Sequence, residues 1–333
     1  MPSRHPDFVR AKTIQLTADF ISPAGRAWLG NTRAARILHI FKRVCNLINA
    51  DGEILSVLAS PVAMGPFAVR LNESINWSGN ISTEMRVKCE EDSIRIADVQ
   101  IDIGTATHWN PLPQWEHLRN LKDTQLWVNE IRKQLSRAAP PDSIAAIIMS
   151  FPGAERRGIL SNDPERAASQ GFLEPSGSRN DIKGKAFSSL QAVLETAIPK
   201  LHAGLRRRDL DSLQSSAQAF AGLGPGLTPA GDDYLVGVMY GLWSTLAPAE
   251  ATRLSEALAE SAGPRTNNIS KAWLRAAANG EANADWHQLV QVISSNEVQN
   301  ITLILTRIMD TGHTSGADAL AGFVDTRSIL ARE

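Results

Sequence analysis

The sequence predicts an α+β protein, with a β-rich N-terminal domain (residues 1–108) and a mainly α-helical C-terminal domain (residues 109–333). Short runs of alternating or β-branched residues fill the first domain, and turn residues separate them. Apolar residues at helical spacing fill the second domain. The change falls at residues 109–113, where the segment WNPLP interrupts both patterns.

Five runs in the first domain are predicted to form strands, at residues 13–20, 54–59, 67–71, 85–89 and 93–103. The triplets Ala50-Asp51-Gly52 and Met64-Gly65-Pro66 supply turn signals between them. Residues 31–45 carry apolar side chains that fit either a short helix or a helix followed by a strand, and the pattern leaves both open.

The second domain opens with a predicted helix over 115–135, which Pro140-Pro141 ends, and a short one over 142–149. Residues 152–185 are predicted to form a long loop, where Arg156, Arg157 and Arg179 are either anion contacts or exposed solubilising residues. Helices with short connections are then predicted at 187–202, 210–220, 229–246, 248–261, 267–278, 285–294, 297–309 and 315–330.

Charge and cysteine content exclude several classes of protein. Among 333 residues, 34 are Lys or Arg and 35 are Asp or Glu, so the formal charge of −1 favours neither nucleic acid nor a membrane surface as partner. Cys45 and Cys89 form no C-x-x-C pair, which indicates a reducing compartment and no structural zinc. No apolar run approaches the ~18 residues of a membrane span, so a cytoplasmic protein is expected.

The segment from Gly222 to Asp233, GLGPGLTPAGDD, is the strongest functional signal. Thr228 is predicted to cap a helix whose first residue is Pro229. Backbone N–H groups at such a helix start suit a phosphate or carboxylate, and glycines allow close approach. A glycine-rich helix cap without a ligand is the alternative. The candidate ligand-binding residues here are Gly222, Gly224, Gly226, Thr228 and Gly231.

A second turn repeats part of this pattern. Gly231, Asp233, Leu235 and Gly237 spell G-x-D-x-L-x-G, and the same spelling returns at Gly316, Asp318, Leu320 and Gly322. Two helix starts facing one pocket would explain the repeat, although so short a match also arises by chance. Thr314, Ser315, Gly316 and Asp318 are therefore further candidates for substrate binding. Between the two copies, the residues from Arg265 to Ser270 are expected to cap a helix near Asn267 rather than to reach a ligand.

Three residues are candidates for catalysis: Asp232, Asp233 and His313. The two aspartates would orient the loop, hold Mg²⁺ or act as a base, in that order, because adjacent helical side chains diverge. His313 is a candidate acid, base or phosphoryl acceptor, or else an ordinary polar loop residue. The sequence requires no cofactor, leaves Mg²⁺ possible, and shows no recognised metal-ligand spacing.

These residues resemble the AllH-type subunit family of oxamate carbamoyltransferase, through Gly65-Pro66-Phe67, the run GLGPGLTPAGDDYLVG (222–237) and the turn GHTSGAD (312–318). The resemblance spans most of the chain, and the central run is its most specific part. It implies a cytoplasmic subunit that works with two other subunit types in allantoin and purine catabolism. The implied reaction transfers a carbamoyl group between oxalurate plus phosphate and oxamate plus carbamoyl phosphate, and the resemblance assigns no catalytic residues.

Two other functions stay open at this point. One is a non-catalytic structural or regulatory subunit, in which Gly231, Gly237 and Gly241 form a small-residue surface for a partner chain. The other is an Mg²⁺-dependent hydrolase or phosphotransferase that uses Asp232, Asp233 and Asp318.

Overall fold

A computed structural model describes residues 13–121, 124–150, 180–295, 297 and 300–331 of the chain. The chain divides into two compact units, one ending at Pro111 and the other beginning at Leu112. The first unit is a β structure and the second is helical, so the fold class is α+β, as predicted.

Over its described residues, from 13 to 111, the first unit is a nine-stranded sheet that closes on itself. Its strand order is β5-β4-β3-β2-β6-β7-β8-β1-β9, and the end strand β5 also pairs with β1. Ala18 of β1 lies opposite Leu71 of β5, while Ile14 at the start of β1 pairs with Val99 of β8. The strands are β1 (Ile14–Ile21), β2 (Ala34–Ile40), β3 (Val44–Ile48), β4 (Ile54–Leu58), β5 (Ala68–Leu71), β6 (Arg86–Glu90), β7 (Ser93–Ile96), β8 (Val99–Asp102) and β9 (Thr107–His108).

Alternation along the strands sends one set of side chains into a single core. In β6, Val87 and Cys89 are buried while Arg86, Lys88 and Glu90 are exposed. Cys45 is buried in the same core, and burial raises the pKa of the two thiols to about 12 for Cys45 and about 11 for Cys89. Both cysteines are therefore unreactive apolar fillers of this core.

Parts of the first unit differ from the prediction, which also missed helix α1 (Pro23–Asn31). This helix precedes residues 31–45, which hold strand β2 and the start of β3 rather than a helix. The predicted strand 93–103 is a hairpin of β7 and β8, because Ala97 adopts a φ of 49° and reverses the chain. The Ser22 hydroxyl caps α1 by accepting the Gly25 N–H at 3.1 Å, and it also accepts the Ala68 N–H at 2.9 Å.

The second unit is a bundle of helices. They are α2 (Trp115–Arg119), α3 (Gln125–Ala138), α4 (Ile144–Ser150), α5 (Asn180–Arg207), α6 (Leu210–Phe220), α7 (Ala230–Trp243), α8 (Pro248–Ala262), α9 (Asn268–Ala278), α10 (Ala284–Ser294), α11 (Ile301–Met309) and α12 (Ser315–Leu330). The predicted helix over 115–135 is wrong, because α2 ends at Arg119 and α3 begins at Gln125. Two further differences from the prediction concern α5 and α11. Residues 180–185 belong to α5 rather than to the predicted loop, and α11 begins at Ile301 instead of 297. Arg156, Arg157 and Arg179 lie outside the described residues.

Helices α7 and α12 form the centre of this bundle. Every residue of α7 from Ala230 to Leu242 is buried, as expected for a helix that is surrounded by others. Glycines allow the two backbones to touch. A Cβ added at Gly237 would lie 1.8 Å from the Ala319 carbonyl oxygen, and one added at Gly322 would lie 2.1 Å from that of Tyr234.

The expectation that Gly231, Gly237 and Gly241 form a surface for a partner chain is therefore wrong. A Cβ at Gly231 would lie 2.0 Å from the Phe220 carbonyl oxygen in α6, and one at Gly241 would lie 2.5 Å from Cβ of Thr326 in α12. Helices of the same chain already cover all three positions. They can approach this closely because glycine has no side chain.

The carboxyl end of α7 is held by two arginines. Arg119 donates to the Trp243 carbonyl oxygen at 2.7 Å, and Arg327 donates to that of Ser244. Arg327 is buried, and burial lowers its pKa to about 10. Both cations lie at the negative end of the helix dipole. Among the described residues, no helix combines the length and apolar character needed to cross a bilayer.

Candidate functional site

The glycine-rich loop connects α6 to α7, and its backbone conformation requires glycine at three positions. Gly222, Gly224 and Gly226 have φ angles of +71°, +103° and +107°, a region that side-chain-bearing residues rarely adopt. Thr228 does not cap α7, contrary to the prediction. The capping position is Pro229, which has no side-chain hydrogen bond, and the helix begins at Ala230.

Several backbone N–H groups of this loop have no partner within the described part of the chain: those of Gly224, Gly226, Leu227, Thr228 and Ala230. The segment 225–227 is exposed to solvent. The remaining donors are used, since the Gly231 N–H donates to Leu223 at 2.9 Å and the Gly222 N–H to Asp232. The loop therefore presents unpaired donors next to the positive end of α7.

Asp232 anchors the loop. Its Oδ1 accepts the Gly222 N–H at 2.9 Å and its Oδ2 accepts the Thr266 hydroxyl at 2.5 Å. Burial raises the pKa of Asp232, and its hydrogen bonds with Thr266, Gly222 and Ser270 partly offset that rise. This is the loop-orienting arrangement expected for one of the two acids.

Asn267 ties the same loop to α9. Its Oδ1 accepts the Ile269 and Ser270 N–H groups, which confirms the predicted cap. Its Nδ2 also donates to the Leu227 carbonyl oxygen at 2.8 Å. The sequence pattern predicted the cap. It did not indicate the contact with Leu227, which lies forty positions away in the chain.

The second predicted turn lies against the first. The Thr228 and Ser315 hydroxyls are 2.8 Å apart. Gly312 has a φ of +67° and Thr314 occupies the capping position of α12. Gly316 packs on α11, because a Cβ there would lie 1.7 Å from the Ile308 carbonyl oxygen. The structure thus brings Thr228, Thr314, Ser315 and Gly316 together at two neighbouring helix starts.

Asp233 lies in the first turn of α7, beside these two helix starts, and only 8% of its surface is exposed. Burial raises its pKa well above the usual range, and the carboxyls of Asp318 and Asp232 raise the pKa further. Hydrogen bonds with the Ser315 and Thr228 hydroxyls act in the opposite direction. Its Oδ2 is buried and has no hydrogen-bond partner among the described residues.

Asp318 has a different partner from its counterpart Asp233. Its Oδ1 accepts the Ala145 N–H at 3.0 Å, at the start of α4. The residue is fully buried, and burial raises the pKa of Asp318 to about 7 although this hydrogen bond and those of Thr314 and Ile144 lower it. Its Oδ2 also lacks a partner within the described structure.

His313 lies at the surface of the second turn. Its side chain is 79% exposed, and its Nε2 is 3.2 Å from Oδ2 of Asp142. The contact resembles an ordinary exposed ion pair, which contributes little to stability. The structure thus gives His313 a solvent-facing position, unlike that of Asp233.

A buried polar network next to the site was not predicted. Asp325 of α12 accepts the Tyr234 hydroxyl at 2.8 Å, and its Oδ2 lies 3.0 Å from Nε2 of His202. Burial alone would raise the pKa of Asp325, but His202, Tyr234 and Arg132 together lower it below its usual value. Asp325, His202 and Tyr234 lie far apart in sequence, so no local motif could have indicated that they tie α5, α7 and α12 together.

No three His, Cys, Asp or Glu side chains lie close enough together to hold a metal ion in the part of the chain that the structure covers. Both oxygens of Asp232 are engaged with the protein, Oδ1 with the Gly222 N–H and Oδ2 with the Thr266 hydroxyl.

We expect Asp232→Ala to free the glycine-rich loop without unfolding the bundle. The Gly222 amide loses its acceptor, and one such hydrogen bond contributes about 1 kcal/mol. Hydrogen exchange at Gly222 should therefore accelerate by about fivefold or more, as exchange followed by NMR or mass spectrometry will measure.

Asp211→Ala is the matched control, since Asp211 is an exposed acid in the first turn of α6. Equal exchange at Gly222 in both variants would show that Asp232 does not hold the loop.

Comparison with known families covers both units. Residues 12–108 match the family described as the AllH family N-terminal domain, and residues 220–326 match the one described as oxamate carbamoyltransferase subunit AllH. The second match contains both glycine turns, all of α7 and most of α12. No solved structure matches the chain. The sheet unit and the glycine turns thus agree on one assignment, and the chain belongs to the AllH family of oxamate carbamoyltransferase subunits.

Proposed function

We propose that the helical unit binds a small anion at the glycine-rich loop and takes part in carbamoyl transfer together with other subunits. The observation that carries this proposal is the set of unpaired N–H groups from Gly224 to Ala230, which lie beside the start of α12. The family supplies the reaction class.

The chemistry of the reactants suits these donors. Oxamate, oxalurate, phosphate and carbamoyl phosphate are small anions whose oxygens accept hydrogen bonds, and a helix N-terminus favours negative charge. Carbamoyl transfer passes through a tetrahedral oxyanion, which the same N–H groups would stabilise. Removing one such donor typically lowers the rate about a hundredfold or more.

The candidate catalytic residues take separate roles in this proposal. Asp232 orients the donors, because both of its oxygens hold neighbouring segments. Asp233 touches the Thr228 and Ser315 hydroxyls, and burial raises its pKa well above the ordinary range, which makes Asp233 the candidate acid or base. His313 faces solvent beside Asp142 and would serve as an acid, a base or a phosphoryl acceptor.

Gly226→Val tests the anion site. A side chain at Gly226 meets open space, since its nearest neighbour would be the Thr228 carbonyl oxygen at 4.0 Å, but its φ of +107° disfavours any residue with a Cβ. The loop must change its backbone conformation, which turns its N–H groups away. We expect affinity for phosphate, oxamate and carbamoyl phosphate to fall by tenfold or more in calorimetric titrations.

Gly52→Val is the control, because Gly52 has a φ of +78° in a turn of the first unit. The unmodified protein should gain about 2.7 kcal/mol of stability at ligand concentrations one hundred times the Kd. Binding that survives in Gly226→Val would place the anion elsewhere.

Two outcomes would favour the other functions. A protein that binds none of the three anions would be a structural or regulatory subunit. A melting temperature that rises with Mg²⁺ alone, and no longer does so in Asp233→Asn, would favour a metal-dependent hydrolase or phosphotransferase.

A further inference from the structure

The carboxyl of Asp233 has a feature that loop orientation does not explain. Asp232 already anchors the loop, and the Oδ2 of Asp233 is buried with no hydrogen-bond partner among the described residues. Leaving a buried acceptor unpaired is unfavourable, so such a group in a binding site indicates a missing donor.

The position of Asp233 shows where that donor would come from. The Thr228 and Ser315 hydroxyls bond to each other at 2.8 Å, so only the one that accepts in this bond is free to donate to Asp233. Thr228 also belongs to the loop with the unpaired N–H groups. A ligand held by those groups would therefore lie close to Asp233, whose Oδ2 can accept a hydrogen bond from it.

The two parts of the site have opposite hydrogen-bonding character. The loop offers unpaired N–H donors, which suit a carboxylate or phosphate. A carboxyl group keeps an acceptor oxygen in either protonation state, so Asp233 can receive an N–H. Oxamate and carbamoyl phosphate carry both kinds of group, an anionic end and an amide NH₂.

We propose that Asp233 determines the specificity of this site by accepting a hydrogen bond from the amide nitrogen of the ligand, so that amides are selected over their methyl analogues. The inference rests on the anion site proposed above. Pyruvate differs from oxamate only by a methyl group in place of the NH₂, and acetyl phosphate differs from carbamoyl phosphate in the same way.

Calorimetric titration of the unmodified protein with each pair provides the test. Sites built to pair with a ligand N–H reject analogues that lack it, because their own polar group stays unpaired. Oxamate should bind at least tenfold more tightly than pyruvate, and carbamoyl phosphate at least tenfold more tightly than acetyl phosphate.

Asp233→Leu should bring each ratio close to one while inorganic phosphate still binds, and Asp233→Asn, which keeps an acceptor oxygen, should retain the preference. Equal affinities for oxamate and pyruvate in the unmodified protein would overturn the specificity role, even if Asp233→Leu does not fold. A preference that persists in Asp233→Leu would overturn it too.

Failure of the anion site itself has a different signature. If phosphate and all four organic ligands fail to bind, the proposed function falls together with this inference. If all bind without discrimination, the anion site stands and only the role of Asp233 is lost.

Discussion

Gly237→Ala should destabilise the helical unit by at least about 3 kcal/mol, the upper range for forcing extra atoms into a packed core. The added Cβ would lie 1.8 Å from the Ala319 carbonyl oxygen and 2.6 Å from the carbonyl carbon. Both are backbone atoms of a buried helix, which no rotamer change can move. Urea unfolding followed by circular dichroism measures the loss.

The sign of the change in stability is informative. Helix propensity alone would make Gly237→Ala stabilising by about 1 kcal/mol, so a loss of stability must come from the close packing. Gly263→Ala is the control. Gly263 has a helical φ of −53°, and its Cβ would first meet the flexible Lys271 side chain at 3.6 Å. A Gly237→Ala protein as stable as the control would mean that α7 and α12 do not pack through this glycine.

Asp318→Asn should raise the free energy of unfolding at pH 8 by up to about 4 kcal/mol and leave it unchanged near pH 4. Burial raises the pKa of Asp318 from 3.8 to about 7 in the folded protein. The folded state therefore holds the proton more tightly than the unfolded state. Stability falls as the pH rises from about 4 to about 7, by about 1.4 kcal/mol for each pH unit.

Asparagine keeps an oxygen for the Ala145 N–H, which Asp318 accepts at 3.0 Å, but it cannot ionise. Urea unfolding at pH 4 and pH 8 measures the effect of the substitution on the free energy of unfolding at each pH. Asp310→Asn, at an exposed position after α11, is the control and should have the same effect at both pH values. If Asp318→Asn changes stability equally at pH 4 and pH 8, the carboxyl does not titrate in this range. A buried acid that lowers stability at neutral pH does not help folding, so its presence points to a functional role.

Local sequence patterns predicted the bounds of a helix correctly where residues close in sequence set those bounds. Helices α6 and α12 span the predicted residues 210–220 and 315–330 because polar caps and glycine turns bound their apolar stripes. Helix α1 carried the same kind of signal, with Ser22 as cap and Pro23 at its first turn, but its nine residues lie among strands and the prediction missed it.

Determinants that depend on distant residues could not be predicted. Strand β1 closes the sheet by pairing with β5, and one strand pattern fits open and closed sheets equally well. The roles of the adjacent acids also depend on remote contacts. Asp232 meets Gly222 and Thr266, whereas Asp233 meets Ser315, so two neighbouring side chains serve different purposes.

The sequence by itself determined the α+β class, the two glycine turns and their helix starts, because backbone conformation and helix capping depend on neighbouring residues. Only the tertiary structure decided that Thr228 touches Ser315, 87 positions away, rather than capping its own helix. It also decided that the glycines of α7 face α6 and α12 of the same chain instead of a partner chain. Burial and pKa follow from such long-range packing, since they depend on what surrounds a group in space and not on its place in the chain.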